Sequence, residues 1–270
     1  MTLVKNEMQY VHGYASGELD RLIGSAATLQ YLLHRDTAYP AGALVLEAGC
    51  GVGAQTRFLI ECCPGIHLVS VDIAHASLLR AKKEVAEQKN YIQADLRVLP
   101  FPKNTFDHIF ICFVLEHLPD PLEALNTLKA FLKPSGTITA IEGDHGSAFF
   151  YPETAEALTA WKCLQQLQLQ TSGDGNIGRR LYTLFKQSGA ANIDVIPLPV
   201  YCDPSIPGMM KGFADKTIVG MLKGIESEVI ARNMISSEVW HKGIDDLITL
   251  STSKDGTFMY TFFRAVGSYA

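Results

Sequence analysis

The sequence predicts an α/β protein built on a doubly wound, mostly parallel sheet, and three observations carry that expectation. Short apolar runs alternate with segments of helical periodicity from about residue 43 to residue 142, the rhythm that makes a parallel sheet with helices on both faces. The apolar runs are nearly continuous rather than alternating, as strands covered on both sides must be. One of them, Leu44 to Glu47, ends in an acid and opens directly into the glycine-rich turn Gly49-Cys50-Gly51-Val52-Gly53. Glycines there let the backbone approach a ligand and adopt positive φ.

The elements follow in order. Leu19, Leu22, Ile23, Ala26, Leu29 and Leu33 recur at three- and four-residue spacing, which predicts an N-terminal helix from about Glu18 to Arg35. Tyr39-Pro40-Ala41-Gly42 ends it, and Ala43 to Glu47 is the first strand. Ala54 to Cys62 reads as a helix, Pro64-Gly65 as a turn, and Ile66 to Val71 as a second strand, followed by Asp72. Ser77 to Glu87 is helical, Tyr91 to Ala94 is a short strand before Asp95, and Phe106 to Phe113 is a fourth strand. Pro121 to Leu132 is a helix, with its proline at a tolerated first-turn position, and Thr137 to Glu142 is a fifth strand. Beyond Glu142 the rhythm breaks. Residues 145–177 and 203–253 read as two helical inserts, separated by a helix from Arg179 to Gln187 and a strand from Ile193 to Val200. Phe258 to Val266 is the last strand. The expected organisation is one domain over residues 1–270, with residues 1–42 as a helical lid and residues 43–142 as the ligand-binding core.

Composition narrows the function. An apolar content of 47% over 270 residues supplies a large core. No apolar run reaches the roughly 18–20 residues of a membrane span, and Met1 to His12 lacks a signal-peptide apolar region. A cytoplasmic location is expected. The net charge of −5, without a basic stripe, disfavours a nucleic-acid partner. Cys50, Cys62, Cys63, Cys112, Cys163 and Cys202 contain no C-x-x-C pair, so reduced thiols and no metal site are expected. Oligomeric state is not legible.

The glycine turn fits two ligands. Gly49 to Ala54 matches the dinucleotide pattern G-x-G-x-x-G/A, with a following acid at Asp72. It fits equally the E/D-x-G-x-G-x-G loop that holds S-adenosylmethionine. Glu47 favours the second reading, because an acid before the glycines suits an α-ammonium group and repels a pyrophosphate. Glu47, Asp72 and Asp95 also come at the ends of three successive strands, where open parallel sheets bind ligands.

Further blocks follow in sequence: Asp95 through Leu99-Pro100-Phe101-Pro102 to Phe106-Asp107, then Val114-Leu115-Glu116-His117-Leu118, then Leu132-Lys133-Pro134 and Gly136. With these the chain resembles the class I S-adenosylmethionine-dependent methyltransferases, most of all the ubiquinone and menaquinone C-methyltransferase-like (type 11) subgroup. The resemblance covers about residues 43–142. It implies a Rossmann-like sheet of seven strands with the last one antiparallel. It implies S-adenosyl-L-methionine as cofactor, held by Glu47, Gly49, Cys50, Gly51, Gly53, Asp72, Ile73, Ala94, Asp95, Leu96 and Phe113. It implies methyl transfer to a small-molecule acceptor, driven mainly by proximity and orientation, and hands over no catalytic residue. Candidates are His145 after the fifth strand, His117 after the fourth, and Tyr14 in the lid. Arg21, Tyr10 and His12 lie near Tyr14. Phe149, Phe150, Tyr151 and Trp161 in the first insert, and Met209, Met210, Phe213 and Met221 in the second, fit either an apolar acceptor pocket or plain packing. Two other functions stay open: an NAD-dependent reductase, and a non-catalytic S-adenosylmethionine-binding protein.

Overall fold

The computed structural model describes residue 24 and residues 28–270. Tyr10, His12, Tyr14 and Arg21, with most of the expected N-terminal helix and lid, lie outside the described residues. Residues 28–34 are helical (α1).

Seven strands form one sheet in the order β3-β2-β1-β4-β5-β7-β6. They are β1 (Leu44–Ala48), β2 (His67–Asp72), β3 (Tyr91–Gln93), β4 (Phe106–Cys112), β5 (Leu132–Tyr151), β6 (Ala191–Cys202) and β7 (Thr257–Ser268). β1 through β5 run parallel, whereas β7 is antiparallel to both β5 and β6. The chain moves outward from β1 to β3 and then returns to the other side of β1 as β4. That reversal leaves a crevice at the carboxyl ends of β1 and β4, where a sheet of this type binds ligands.

Alternate side chains of each strand feed two cores on opposite faces of the sheet. Val45, Phe110, Cys112 and Ile141 pack with α1, with α2 (Ala54–Cys62) and with the C-terminal helices. Leu46, Ala48, Ile109, Ile111, Ile138 and Ala140 pack with α4 (Pro121–Lys129) and α6 (Leu181–Gln187). α3 (His75–Glu84) precedes β3. This two-sided burial explains the nearly continuous apolar runs.

Helix ends follow local chemistry. Asp120 caps α4 by accepting from the Glu123 amide at 2.8 Å, and Pro121 occupies its first turn. α5 (Ala155–Gln170) is capped by Thr154, and α9 (Ser237–Thr252) by Ser236.

The first insert differs from expectation. It is not helical from residue 145, because β5 continues to Tyr151 past an irregularity between Asp144 and Phe149. The reason is an alternation in burial that three consecutive aromatic residues do not display in sequence. Phe149 and Tyr151 are exposed while Phe150 between them is buried, and the three pair with Met259, Phe258 and Thr257 of β7. The helix of this insert, α5, buries Trp161, Leu164 and Leu167, the stripe its spacing predicts. The second insert is helical: the short α7 (Pro207–Met209), a π-helical stretch Met210–Val219, α8 (Gly220–Ala231) and α9. No helix among the described residues is long and apolar enough to cross a membrane.

Candidate functional site

A cavity of about 360 Å³ opens at the reversal between β1 and β4. One half is walled by the glycine turn and the ends of β2 and β3. The other half is walled by β5, β7, α5 and the π-helical stretch.

The glycine turn is built for close approach. Gly49, Gly51 and Gly53 have φ of 80°, 51° and 80°, a region that favours glycine. The amides of Gly49 and Cys50 donate to the Val71 carbonyl at 2.8 and 2.9 Å, tying the turn to β2. A Cβ on Gly49 would lie 2.5 Å from Val114 Cγ2, so the turn packs against the chain leaving β4. A Cβ on Gly53 would press on Ala81 at 3.1 Å, so that glycine serves the packing of α2 against α3. A Cβ on Gly51 would meet nothing within 4 Å. Gly51 therefore presents bare backbone to the cavity.

Each acid has a distinct environment. Asp72 Oδ2 accepts from the Gly51 amide and Oδ1 from the Ala74 amide, each at 2.8 Å, and burial raises its pKa. Each carboxylate oxygen keeps a second lone pair, so Asp72 holds the loop and can still accept hydroxyls. Asp95 is gripped by Arg97 through Nε at 3.0 Å and Nη2 at 2.6 Å, and the guanidinium lowers its pKa.

Glu47 lies inside β1, 2% exposed, behind the turn and off the cavity wall. Its Oε2 accepts from Thr56 and Ser70 at 2.7 Å each. Its Oε1 has no partner among the described residues. Burial pushes its pKa up to about 7. β1 runs to Ala48, so Glu47 is an interior residue of the strand, and its carboxylate packs against Thr56 and Ser70.

Gly49, Cys50, Gly51, Asp72, Ile73, Asp95, Leu96 and Phe113 line the cavity, whereas Gly53 and Ala94, like Glu47, do not. Phe113 has φ 57°, an unusual value for a bulky residue, and packs on Phe262 with ring centroids 5.4 Å apart. Strain of this kind persists where the surrounding structure over-determines it. Here the Phe113 amide donates to Ile141 at 2.9 Å. In addition, Glu142 Oε1 accepts from the Val114 and Leu115 amides at 3.0 and 2.8 Å. Glu142 is fully buried, and burial with the nearby Glu116 raises its pKa well above the usual range.

The second half of the cavity holds both histidine candidates. His117 sits in the short 3-10 turn Leu115–His117, with Nε2 3.3 Å from Glu116 Oε1. His145 is buried on β5. Its Nδ1 and the Tyr260 hydroxyl are hydrogen-bonded at 2.8 Å, and its carbonyl accepts from Trp161 Nε1 at 2.9 Å. Its Nε2 has no partner among the described residues. Burial lowers its pKa, so the ring is neutral near pH 7.

The aromatic expectation divides. Phe213 and Met221 line the cavity, with Thr217, Ile218 and Phe262. Phe149 and Tyr151 are exposed, Phe150 and Met210 belong to the core, and Met209 packs against that core. Trp161 does not line the cavity but backs it, bonding to the His145 carbonyl and packing edge-on against His145 and Tyr260. Sequence reasoning missed Gln168, which is 1% exposed and lines the cavity with Oε1 unpartnered among the described residues. It falls four residues after the buried Leu164, a polar residue on an apolar stripe. Tyr260 was hidden inside the apolar last strand.

Comparison with known proteins agrees with this geometry. Residues 46–140 match the profile of a methyltransferase domain family. An uncharacterized methyltransferase of Schizosaccharomyces pombe is 34% identical over 122 residues, covering 42% of this chain and 44% of that protein. The sterol 24-C-methyltransferase ERG6B of Gibberella zeae is 28% identical over 134 residues, covering 48% and 34%. The demethylmenaquinone methyltransferase of Bacillus licheniformis is 24% identical over 222 residues, covering 72% and 94%. The chain thus spans less than half the length of the first two relatives and nearly all of the third.

Among solved structures, phosphoethanolamine N-methyltransferase 2 of Haemonchus contortus, complexed with S-adenosylhomocysteine, superposes with a TM-score of 0.57 at 14% identity. That match covers 93% of this chain and 57% of the nematode chain. The YcgJ protein of Bacillus subtilis gives 0.54 at 16% identity, covering 90% and 97%. At such identities the likeness is one of fold. The shared fold is the Rossmann-like, mostly parallel seven-stranded sheet in which β7 is antiparallel.

Proposed function

We propose that this chain transfers a methyl group from S-adenosylmethionine to a small-molecule acceptor. The single observation that carries this reading is the two-part cavity. A glycine turn with an open backbone face and flanking acids continues directly into an apolar chamber with a polar end.

The residues present fit the cofactor. Gly51 leaves room where a Cβ would fill the wall, and Asp72 has lone pairs free for the ribose hydroxyls. Ile73 would take the adenine face and Asp95 with Leu96 its edge, and the backbone of Gly49 and Phe113 would hold the methionine moiety; all five line the cavity. Glu47 supports the turn from behind, through Thr56 and Ser70, and Gly53 and Ala94 act as spacers.

S-adenosylmethionine, when bound, supplies a methyl group already activated on a sulfonium. The chain then needs to orient a nucleophile and exclude water, and orientation can contribute roughly 7–11 kcal/mol. Phe113, Phe213, Ile218 and Phe262 provide the dry wall for that purpose.

The test is incubation with methyl-tritiated S-adenosylmethionine and a small-metabolite extract. The expected result is label in a small organic product. Cofactor binding with no labelled product from any extract would favour a non-catalytic binding protein.

A further inference from the structure

One face of the sheet is covered along only part of its length. Successive residues of β7 point to opposite faces, so Met259 shares a face with Ala265 and turns away from Tyr260 and Phe262, which line the cavity. On the Ala265 side the sheet is closed by α6 and by the 3-10 turn Ile177–Arg180, with Phe185 against Gly267 and Gly178 against Phe263. Past Phe263 the large side chains of that face stand open. Phe149 is 64%, Tyr201 52% and Met259 37% exposed. The register sets these three in one row across the strands, because Met259 pairs with Phe149 on one side and with Tyr201 on the other. Tyr151, 63% exposed, continues the face two residues beyond Phe149. Phe150, Phe258 and Cys202 point the other way, into the core.

The three aromatic rings alone leave on the order of 400 Å² open. A contiguous apolar patch of that size marks an interaction surface. The partner lies on the face and does not add to the edge. β6 is the outermost strand, and its Pro197 and Pro199 offer no N–H to a further strand.

Charge on either side of the row identifies the partner. On one side the half-exposed Arg179 covers the buried Asp144 of β5, with Nη2 2.7 Å from Oδ1, so the surface there shows a guanidinium. On the other side β5 runs out to the exposed Glu153, β6 to Asp203, and β7 is entered from Asp255, three acids against Lys254. A two-fold axis along the row reverses the strand direction. It therefore brings Arg179 of one copy to Glu153 of the other, twice per interface, while Phe149, Met259 and Tyr201 each meet their own counterpart. An isologous contact needs this self-complementarity, and face-to-face packing of two sheets supplies the geometry. An anionic lipid surface meets repulsion from the acidic side.

We propose that two copies of this chain pair through the open face of β5, β7 and β6, with the row Phe149, Met259 and Tyr201 on the two-fold axis and Arg179–Glu153 ion pairs at the rim. The contact lies on the face of β7 opposite the cavity, and the proposal is independent of what the cavity binds.

The test is sedimentation equilibrium of the full chain up to about 100 μM, where even a weak specific pair assembles. The expected mass is twice that of one chain, falling on dilution. Phe149→Ser should weaken the pair about tenfold or more, as loss of a central aromatic does, and Glu153→Lys by a few fold, each with unchanged far-UV circular dichroism. Tyr201→Ser replaces Phe149→Ser if that variant fails to fold. In a Cys62→Ser background, which removes the exposed native thiol, a short bismaleimide should link two chains carrying Phe149→Cys, because that position lies on the axis. The same reagent should not link chains carrying Lys82→Cys, on α3 beside the opposite edge of the sheet. A single-chain mass at every concentration overturns the proposal. So does a pair that Phe149→Ser and Tyr201→Ser leave equally tight, or one that is not linked through position 149. A chain that stays single but sediments with phosphatidylserine–phosphatidylcholine vesicles, and loses that binding in Phe149→Ser, gives the face to lipid and overturns it as well.

Discussion

The two halves of the cavity satisfy their polar groups in opposite ways. In the half formed by β1 to β4, polarity is bound up by the protein itself. Both Asp72 oxygens hold backbone amides, Asp95 is gripped by Arg97, and the turn amides are tied to Val71. In the half formed by β5, β7, α5 and the π-helical stretch, the walls are apolar and the few polar groups are partly unanswered. A rigid polar frame suits a ligand of constant shape. An apolar chamber with isolated polar atoms suits a ligand chosen by shape and by one functional group. Substitutions in the first half should therefore act on cofactor affinity, and substitutions in the second on acceptor selection.

The largest effect is expected at Gly49. Gly49→Ala places a Cβ 2.5 Å from Val114 at a φ of 80°. Affinity for S-adenosylhomocysteine should fall by about a hundredfold or more, with roughly 1–3 kcal/mol of stability lost to backbone strain. Gly51→Ala, whose Cβ meets no protein atom, should fold more stably than Gly49→Ala yet also bind weakly. Calorimetry with thermal unfolding separates the two.

Asp72→Ala comes next. It removes the acceptor for two loop amides and for the ribose, so cofactor affinity should drop about tenfold to a hundredfold, as hydrogen bonds to a charged group imply. Unchanged affinity would remove Asp72 from the ribose role. In the other half, Gly175→Ala drives a methyl group into His145 and Gln168. Methyl-transfer activity should fall sharply while S-adenosylhomocysteine affinity changes less than about threefold. An equal loss of both would show that the halves are not separable.

Glu47 gives a smaller, pH-dependent effect. Burial raises its folded pKa from an ordinary 4.5 to about 7, so the folded state holds more protons than the unfolded state between those values. Stability from this group therefore falls as pH rises through that window and is flat above it. Glu47→Gln should flatten that slope, leaving the share of Asp72 and Glu142, whose pKa values burial also raises, and unfold later at pH 8, by on the order of 1–3 kcal/mol. An unchanged slope in Glu47→Gln would assign it to those groups. The smallest effect belongs to Arg97→Ala. This ion pair is half-exposed, and stability should change by about 0–1 kcal/mol, while Asp95 loses its fixed orientation and cofactor affinity falls only a few fold.

The same division governs what the sequence reveals. β1 through α4 and the glycine turn depend on local signals, namely apolar runs, turn glycines and Asp120 with Pro121. Their boundaries hold within a few residues. The acceptor half depends on distant pairings. His145 meets Tyr260, 115 positions later, and Gln168 becomes meaningful only when α5 brings it to the cavity wall. The extension of β5 is not legible in sequence, because Phe149, Phe150 and Tyr151 alternate in burial but not in polarity and fit a pocket or plain packing equally. The π-helical turn, which aligns Phe213, Thr217 and Ile218 on the cavity, has no sequence period that distinguishes it from an α-helix. Glu47 was recognised by its position before the glycines. Its burial follows from its place inside β1, where Thr56 and Ser70 pack against the carboxylate.

The crevice between β1 and β4 is proposed to hold S-adenosylmethionine and not a dinucleotide, and calorimetric titration of the full chain with S-adenosylhomocysteine and, separately, with NAD distinguishes the two. Saturable one-site binding of S-adenosylhomocysteine, weakened by Asp72→Ala, and no saturation by NAD are expected. Tight NAD binding with no response to S-adenosylhomocysteine would contradict it.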